Sequence, residues 1–177
     1  MIPQEPCARA AIVAEARSWL GTPYHHQAAL KGVGCDCIGL LRGVYEAFVA
    51  PLNVTINYSP HWHFHRAEEV LYAHACQYAE EIPLESAGIG DVLLFGFGTG
   101  PAAHAGIIAS AETIIHAYAE IGKVTETRLT EKWRARRRFA FRFPGSALHV
   151  TTPFSKNHFL SKSCANFSVT TKIKARH

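Results

Sequence analysis

The sequence predicts an α+β domain. Helical periodicity is confined to the part before residue 80, alternating apolar runs bounded by turn residues fill the part after Gly88, and hydrophobic residues make up 48% of the 177-residue chain. Helices first and antiparallel strands later is the α+β order. A core drawn from that much apolar sequence does not need disulfides or a metal to hold it.

The elements follow in chain order. Residues 8–20 read as a helix, with Ile12, Val13, Ala16, Trp19 and Leu20 on one face and Gly21 ending it. "GTPYHHQAALKGVG" reads as a loop, marked by Gly21, Pro23, Gly32 and Gly34. A second helix starts at Cys37, with Ile38, Leu41, Val44, Tyr45 and Phe48 at helical spacing and Pro51 just past its end. "NVTINYSPHWHFH" is irregular and aromatic, and residues 66–80 suggest a third helix. "GIGDVLLFGFG" is a turn and a strand, and "AHAGIIAS" and "TIIHAYAE" form a hairpin turning at Ser110–Glu112. "KVTETRL" and "RRFAFRF" supply two more strands, and Trp133 is expected on the second with Phe139, Phe141 and Phe143. No internal repeat is present. The domain is placed at 1–147. Residues 148–177, rich in Ser, Thr and Lys, read as a basic extension without a core of its own, expected to act as a docking arm.

The net charge of +4 belongs to that extension. Lys156, Lys162, Lys172, Lys174 and Arg176 lie in 150–177 with no acid, and the body is near neutral with 13 basic against 14 acidic residues. Direct nucleic-acid recognition is therefore not expected; "KWRARRRFAFR" reads as a half-buried strand with a basic outer face. No stretch has the apolar length of a membrane span. The N-terminal stretch lacks a basic region before its apolar part, and Glu15 and Arg17 interrupt it, so no secretion signal is read and synthesis in the cytoplasm is expected.

"GVGCDCIGLL" raises the question of chemistry. The five cysteines are an odd number, which excludes complete pairing within one chain. A metal on Cys35 and Cys37 needs further ligands, with His25, His26 and the trio His61, His63 and His65 available, but the usual zinc spacings are absent and no cofactor is expected. The nucleophile reading is stronger for Cys37. A helix starting there turns unpaired N–H groups and a positive dipole end toward the sulfur, which predicts a lowered thiol pKa and a free N–H for an oxyanion. Cys35, in the preceding loop, reads as a small buried apolar residue. A base and an orienter are available in His104 and His116, twelve residues apart on the expected hairpin, where His116 can hold His104 in one tautomer.

This order, with "WLGTPYHH", "GCDCIGLLRGVYEAF", "GDVLLF", "HAGIIA" and "IIHAY", resembles the NlpC family of papain-like cell-wall cysteine peptidases, most of all its branch in phage tails and gene transfer particles. The resemblance runs from about Ala8 to Gly145; Ile38 departs from the serine that often follows the family's cysteine. It implies a papain-like fold of helices packed on an antiparallel sheet. It implies Cys37 as nucleophile, His104 as general base and His116 as the third polar residue. Tyr24 matches a tyrosine on the oxyanion side, with loop packing as its plainer role. Asp36 matches an acid that seats a substrate amine, and capping of the helix is also sufficient reason for it. The implied substrate is the D-γ-glutamyl–diamino acid bond of peptidoglycan stem peptides. The implied partners are tail-tip or baseplate proteins of a phage-like particle, with action in the target cell's periplasm and wall. A structural tail-tip subunit with little activity and a papain-like amidase remain rival readings.

Overall fold

The computed structural model describes residues 5–52 and 69–145. In chain order it contains α1 (Glu5–Arg17), the short strands β1 (Ala29–Leu30) and β2 (Gly34–Cys35), α2 (Cys37–Phe48), α3 (Val70–Tyr78) and β3 (Glu80–Ile82). After a 3₁₀ turn at Leu84–Ser86 come β4 (Val92–Gly96), β5 (Ala102–Ile108), β6 (Thr113–Tyr118), β7 (Lys123–Arg128), α4 (Glu131–Ala135) and β8 (Arg137–Arg142). Six strands form one sheet in the order β3-β8-β4-β5-β6-β7, every neighbour antiparallel. This is the α+β layout expected from the sequence.

Both faces of the sheet are covered, which explains why β4 is apolar at every position and wholly buried. Val92, Leu94, Ala105, Ile107, Ile115 and Phe141 meet Ile12, Val13 and Ala16 of α1 and Leu40 and Val44 of α2. On the other face Leu93, Phe95, Ile108, Ile114 and Ala140 meet Ile82, Leu84, Leu129 and Trp133. The alternation along each strand thus sends one set of side chains to the helices and the other to a second, smaller core.

One ion pair locks the sheet to α1. Asp91, 1% exposed at the head of β4, accepts from Nε and Nη2 of Arg142 at 3.0 and 2.9 Å, from the Gly88 N–H at 2.9 Å and from Arg9 at 3.5 Å. A carboxylate this deep is tolerable only when paired and hydrogen-bonded. Among the described residues no helix is long and apolar enough to cross a membrane.

Several expectations need correction. The loop after α1 contains the β1–β2 hairpin. Leu20 is 43% exposed, because α1 ends at Arg17 and helical spacing no longer places it. Phe48, the last residue of α2, is 46% exposed, while Leu40, outside the expected set, is fully buried. Trp133 lies on α4, not on the strand with Phe139 and Phe141. The aromatic segment with His61, His63 and His65, the start expected for the third helix, the boundary at 147 and the extension 148–177 lie outside the described residues.

Candidate active site

The first turn of α2 is built by Asp36, Cys37 and Gly39. Asp36 is the N-cap, extended at φ −106° and ψ −171°, and its Oδ1 accepts the Gly39 N–H at 2.9 Å. Its Oδ2 accepts the Gln27 N–H at 2.7 Å and faces His26 Nδ1 at 3.6 Å. Gln27 has φ 61°, a left-handed conformation uncommon for a residue with a side chain, and the bond to Asp36 helps hold it there. Gly39 is where this loop crosses the helix: a Cβ there would stand 1.9 Å from the Ala28 carbonyl oxygen. The carboxylate of Asp36, at 2% exposure, therefore serves first as the cap and anchor of the site.

Cys37 is the first residue of α2, and the N–H groups of Ala105, Ile38 and Cys37 itself turn toward its sulfur. The Ala105 N–H is available because β5 and β6 part. Their ladder holds Ile107 to Ile115 and Ile108 to Ile114, and it stops before Ala105. Ile108 bonds Asp91 on the β4 side, so by alternation Ala105 points to the β6 side, into the opening. The α2 N-terminus meets the sheet at this opening.

His104, the residue before Ala105, places its Nε2 2.7 Å from His116 Nδ1, and the two rings are 6% and 0% exposed. The strand register sets His116 across from Gly106, where a Cβ would lie 3.3 Å from the His116 Cβ; the missing side chain gives His116 room to lean along the strand to His104. The registers of β4 shift on either side of Phe95, the residue opposite His104. Such bulges re-aim side chains beside active sites. Trp133 covers both rings, with centroids 5.7 Å from His104 and 5.2 Å from His116, and Tyr118 stacks on His116 at 5.3 Å. The far nitrogen of His116, Nε2, sits 2.9 Å from Thr127 Oγ1.

Electrostatics here depart from the expected lowered thiol pKa. Burial, then the Asp36 carboxylate, push the Cys37 thiol up to about 12, against the pull of the three N–H groups. Burial, then the neighbouring His116, hold His104 well below the usual imidazole range, and burial brings His116 down to about 4. These shifts all favour the neutral forms of the thiol and both imidazoles. An ion pair would put one charge on the buried His104 ring and the other on the half-buried Cys37 sulfur. Burial, then repulsion from Cys37 as it ionises and from Asp36, raise Tyr24 to about 12, so its phenol remains a donor; its N–H is held by the Gly122 carbonyl at 2.8 Å. Cys35 is fully buried in the core, as expected, and burial raises its thiol to about 11.

The fold brings Cys37, Asp36 and Tyr24 into one electrostatic neighbourhood, and it sets His104 in hydrogen-bond contact with His116, one residue before the Ala105 whose N–H turns to the Cys37 sulfur. Among the described residues no group of three or more His, Cys, Asp or Glu is arranged to hold a metal. An apolar hollow of about 100 Å³ between α2, α3, β4 and β8 is lined by Leu41, Tyr45, His74 and Phe143 among others; it contains none of the five residues and no nucleophile. Two residues of the site escaped the sequence. Trp133 follows Thr130-Glu131, a helix-start composition that signals α4. Thr127 carries no such mark, since Thr125 shares its face of β7.

Two pH effects follow. The histidines bind protons when unfolded near pH 6.5 but resist them when folded, so the unfolded state gains protons as pH falls and stability drops. Denaturant titration should show a loss approaching 1.4 kcal/mol per pH unit for each histidine between about pH 6.5 and 4.5, flattened in a His104→Gln/His116→Asn double variant. The same slope in both proteins contradicts the assignment. The Cys37 thiol, identified by peptide mapping, should alkylate ever faster from pH 7 through 9.5. A rate that levels off below pH 8 would mean a preformed thiolate.

The sequence pattern of the NlpC/P60 family matches residues 21–142. The fold is similar to the NlpC/p60 domain of the peptidoglycan hydrolase SagA, with TM-score 0.52 and 26% identity over 76% of this chain and 98% of that one. It is also similar to the peptidoglycan hydrolase RipB from Mycobacterium tuberculosis, with TM-score 0.54 and 20% identity over 80% of this chain and 68% of that one. A lipoprotein-like NLP/P60 protein from Staphylococcus aureus gives TM-score 0.53 and 22% identity over 77% of this chain, which spans 41% of that protein. A search of curated proteins returns no significant match. A family pattern running from the loop before the cysteine helix to the last strand, on a papain-like fold, establishes that this chain belongs to the NlpC/P60 family.

Proposed function

We propose that the chain is a cysteine endopeptidase that cleaves the D-γ-glutamyl–diamino acid bond of peptidoglycan stem peptides. The observation that carries this is the His104–His116 contact of 2.7 Å, with the next residue, Ala105, turning its N–H to the sulfur of Cys37 at the head of α2. With Nε2 committed to His116, Nδ1 of His104 is the nitrogen left to take the thiol proton as the sulfur attacks the carbonyl carbon. The developing oxyanion is met by the Cys37 N–H and the Tyr24 hydroxyl. His104 then protonates the departing amine, and the bond to nitrogen breaks. Water, losing its proton to His104, opens the thioester and returns the sulfur to the thiol. Asp36 gives the site a negative field that favours the amine end of a stem peptide.

Delivery belongs to the same reading. The resemblance to the phage-tail branch and the basic segment 150–177, with five cations and no acid, support an arm that docks on an acidic face of a tail-tip or baseplate protein. The enzyme would then be made in the cytoplasm, carried by a phage-like particle and used on the wall of the target cell.

Incubation with purified sacculi, followed by mass analysis of released muropeptides, tests the chemistry. Wild type should release fragments ending in D-glutamate. Cys37→Ala and His104→Ala should lose about 10³-fold or more, His116→Ala less, and Cys35→Ala little. Equal loss from both cysteine variants would sink the nucleophile assignment, and fragments cut at another bond would sink the specificity. Protein ending at Gly145 should cleave soluble muropeptides yet fail to enter particles; normal assembly would dismiss the docking arm.

A further inference from the structure

The hydrogen-bonded chain does not end at His116. Its Nε2 is 2.9 Å from the hydroxyl of Thr127, on the neighbouring strand β7. The ladder places Thr125, not Thr127, directly across from His116; Thr127 lies one residue pair along the same face, opposite Ile114. The lean of His116 toward His104 turns Nε2 to this diagonal threonine. The ring is fully buried, and Tyr118 and Trp133 press on it with aromatic surface. Both its nitrogens are thus accounted for, one by His104 and one by Thr127.

We propose that Thr127 is a positioning residue that fixes the proton arrangement of the histidine pair; this rests on the cysteine-hydrolase reading above. A base at His104 needs a bare Nδ1, so its proton must sit on Nε2 and be donated to His116 Nδ1. His116 then carries its own proton on Nε2 and donates it to Thr127 Oγ1. The opposite arrangement runs the same bonds backwards: threonine donates to His116 Nε2, His116 donates from Nδ1, and His104 is left with a proton on the nitrogen that has to receive one. The threonine hydroxyl can serve either arrangement; the role proposed for it is acceptor, the one that leaves His104 Nδ1 bare. Without a hydroxyl there, a proton on His116 Nε2 would be a buried unpaired N–H, a rarer state in folded proteins than an unpaired buried acceptor, and the proton would move to Nδ1.

The test combines ¹⁵N-histidine NMR with kinetics on soluble muropeptides. Wild-type His116 should show the Nε2–H tautomer. Thr127→Val should convert it to the Nδ1–H tautomer and lower kcat by about 10²-fold with KM nearly unchanged, and Thr127→Ser should restore both. Thr127→Ala serves in the same way if valine is not tolerated. An unchanged His116 tautomer in the valine or alanine variant overturns the proposal whether or not activity falls. If wild-type protein cleaves no muropeptide, the hydrolase reading fails, while the tautomer measurement still decides what Thr127 does.

Discussion

The site depends on how the first turn of α2 is held. Its N–H groups need acceptors, and Asp36 satisfies the one at Gly39 while its other oxygen ties down the loop at Gln27. Charge-assisted bonds of this kind contribute about 1.5–3 kcal/mol each. The loop can lie this close only because position 39 has no side chain. An aspartate, a cysteine and a glycine at this spacing thus have a common mechanical cause. The acid caps the turn, the glycine lets the loop approach, and the cysteine between them is fixed where N–H groups converge on its sulfur.

The second half of the site is fixed by an opening in the sheet. β6 pairs with β7 along its length, but its ladder with β5 covers two residue pairs and then stops. The opening frees the Ala105 N–H toward the sulfur and, with Gly106 giving room, lets His116 reach diagonally to His104. Trp133 and Tyr118 keep water from the rings. That dryness holds the imidazoles toward their neutral forms, and on the proposed reading charge would appear only as the sulfur attacks. On the same reading the helix N-terminus would favour the transition state, where the negative charge develops, over the resting thiol.

Much of this was legible in the sequence because it rests on local rules. Helical spacing on α2 and turn residues around the strands lie within short stretches, and the cysteine and the two histidines each stand on an element readable in that way. Cys35 was readable as a core residue for the same reason. The ionisation of Cys37 was not, since a dipole argument sees the helix but not the burial and the Asp36 carboxylate that outweigh it. Leu20 was misplaced because spacing does not show where a helix stops. Thr127 was invisible because its partner is chosen by a diagonal lean between strands, which depends on the absence of a side chain at Gly106.

The central claim is that Cys37 attacks from a neutral thiol and carries the acyl group. Single-turnover mixing with a soluble stem peptide, stopped in acid and followed by peptide mass analysis, reads this directly. The fragment containing Cys37 should gain the mass of the D-glutamyl half of the substrate before free product appears, and Cys35, two residues away, should remain unmodified. Product formed with no adduct on Cys37 at any time point, or an adduct on another residue, would contradict it.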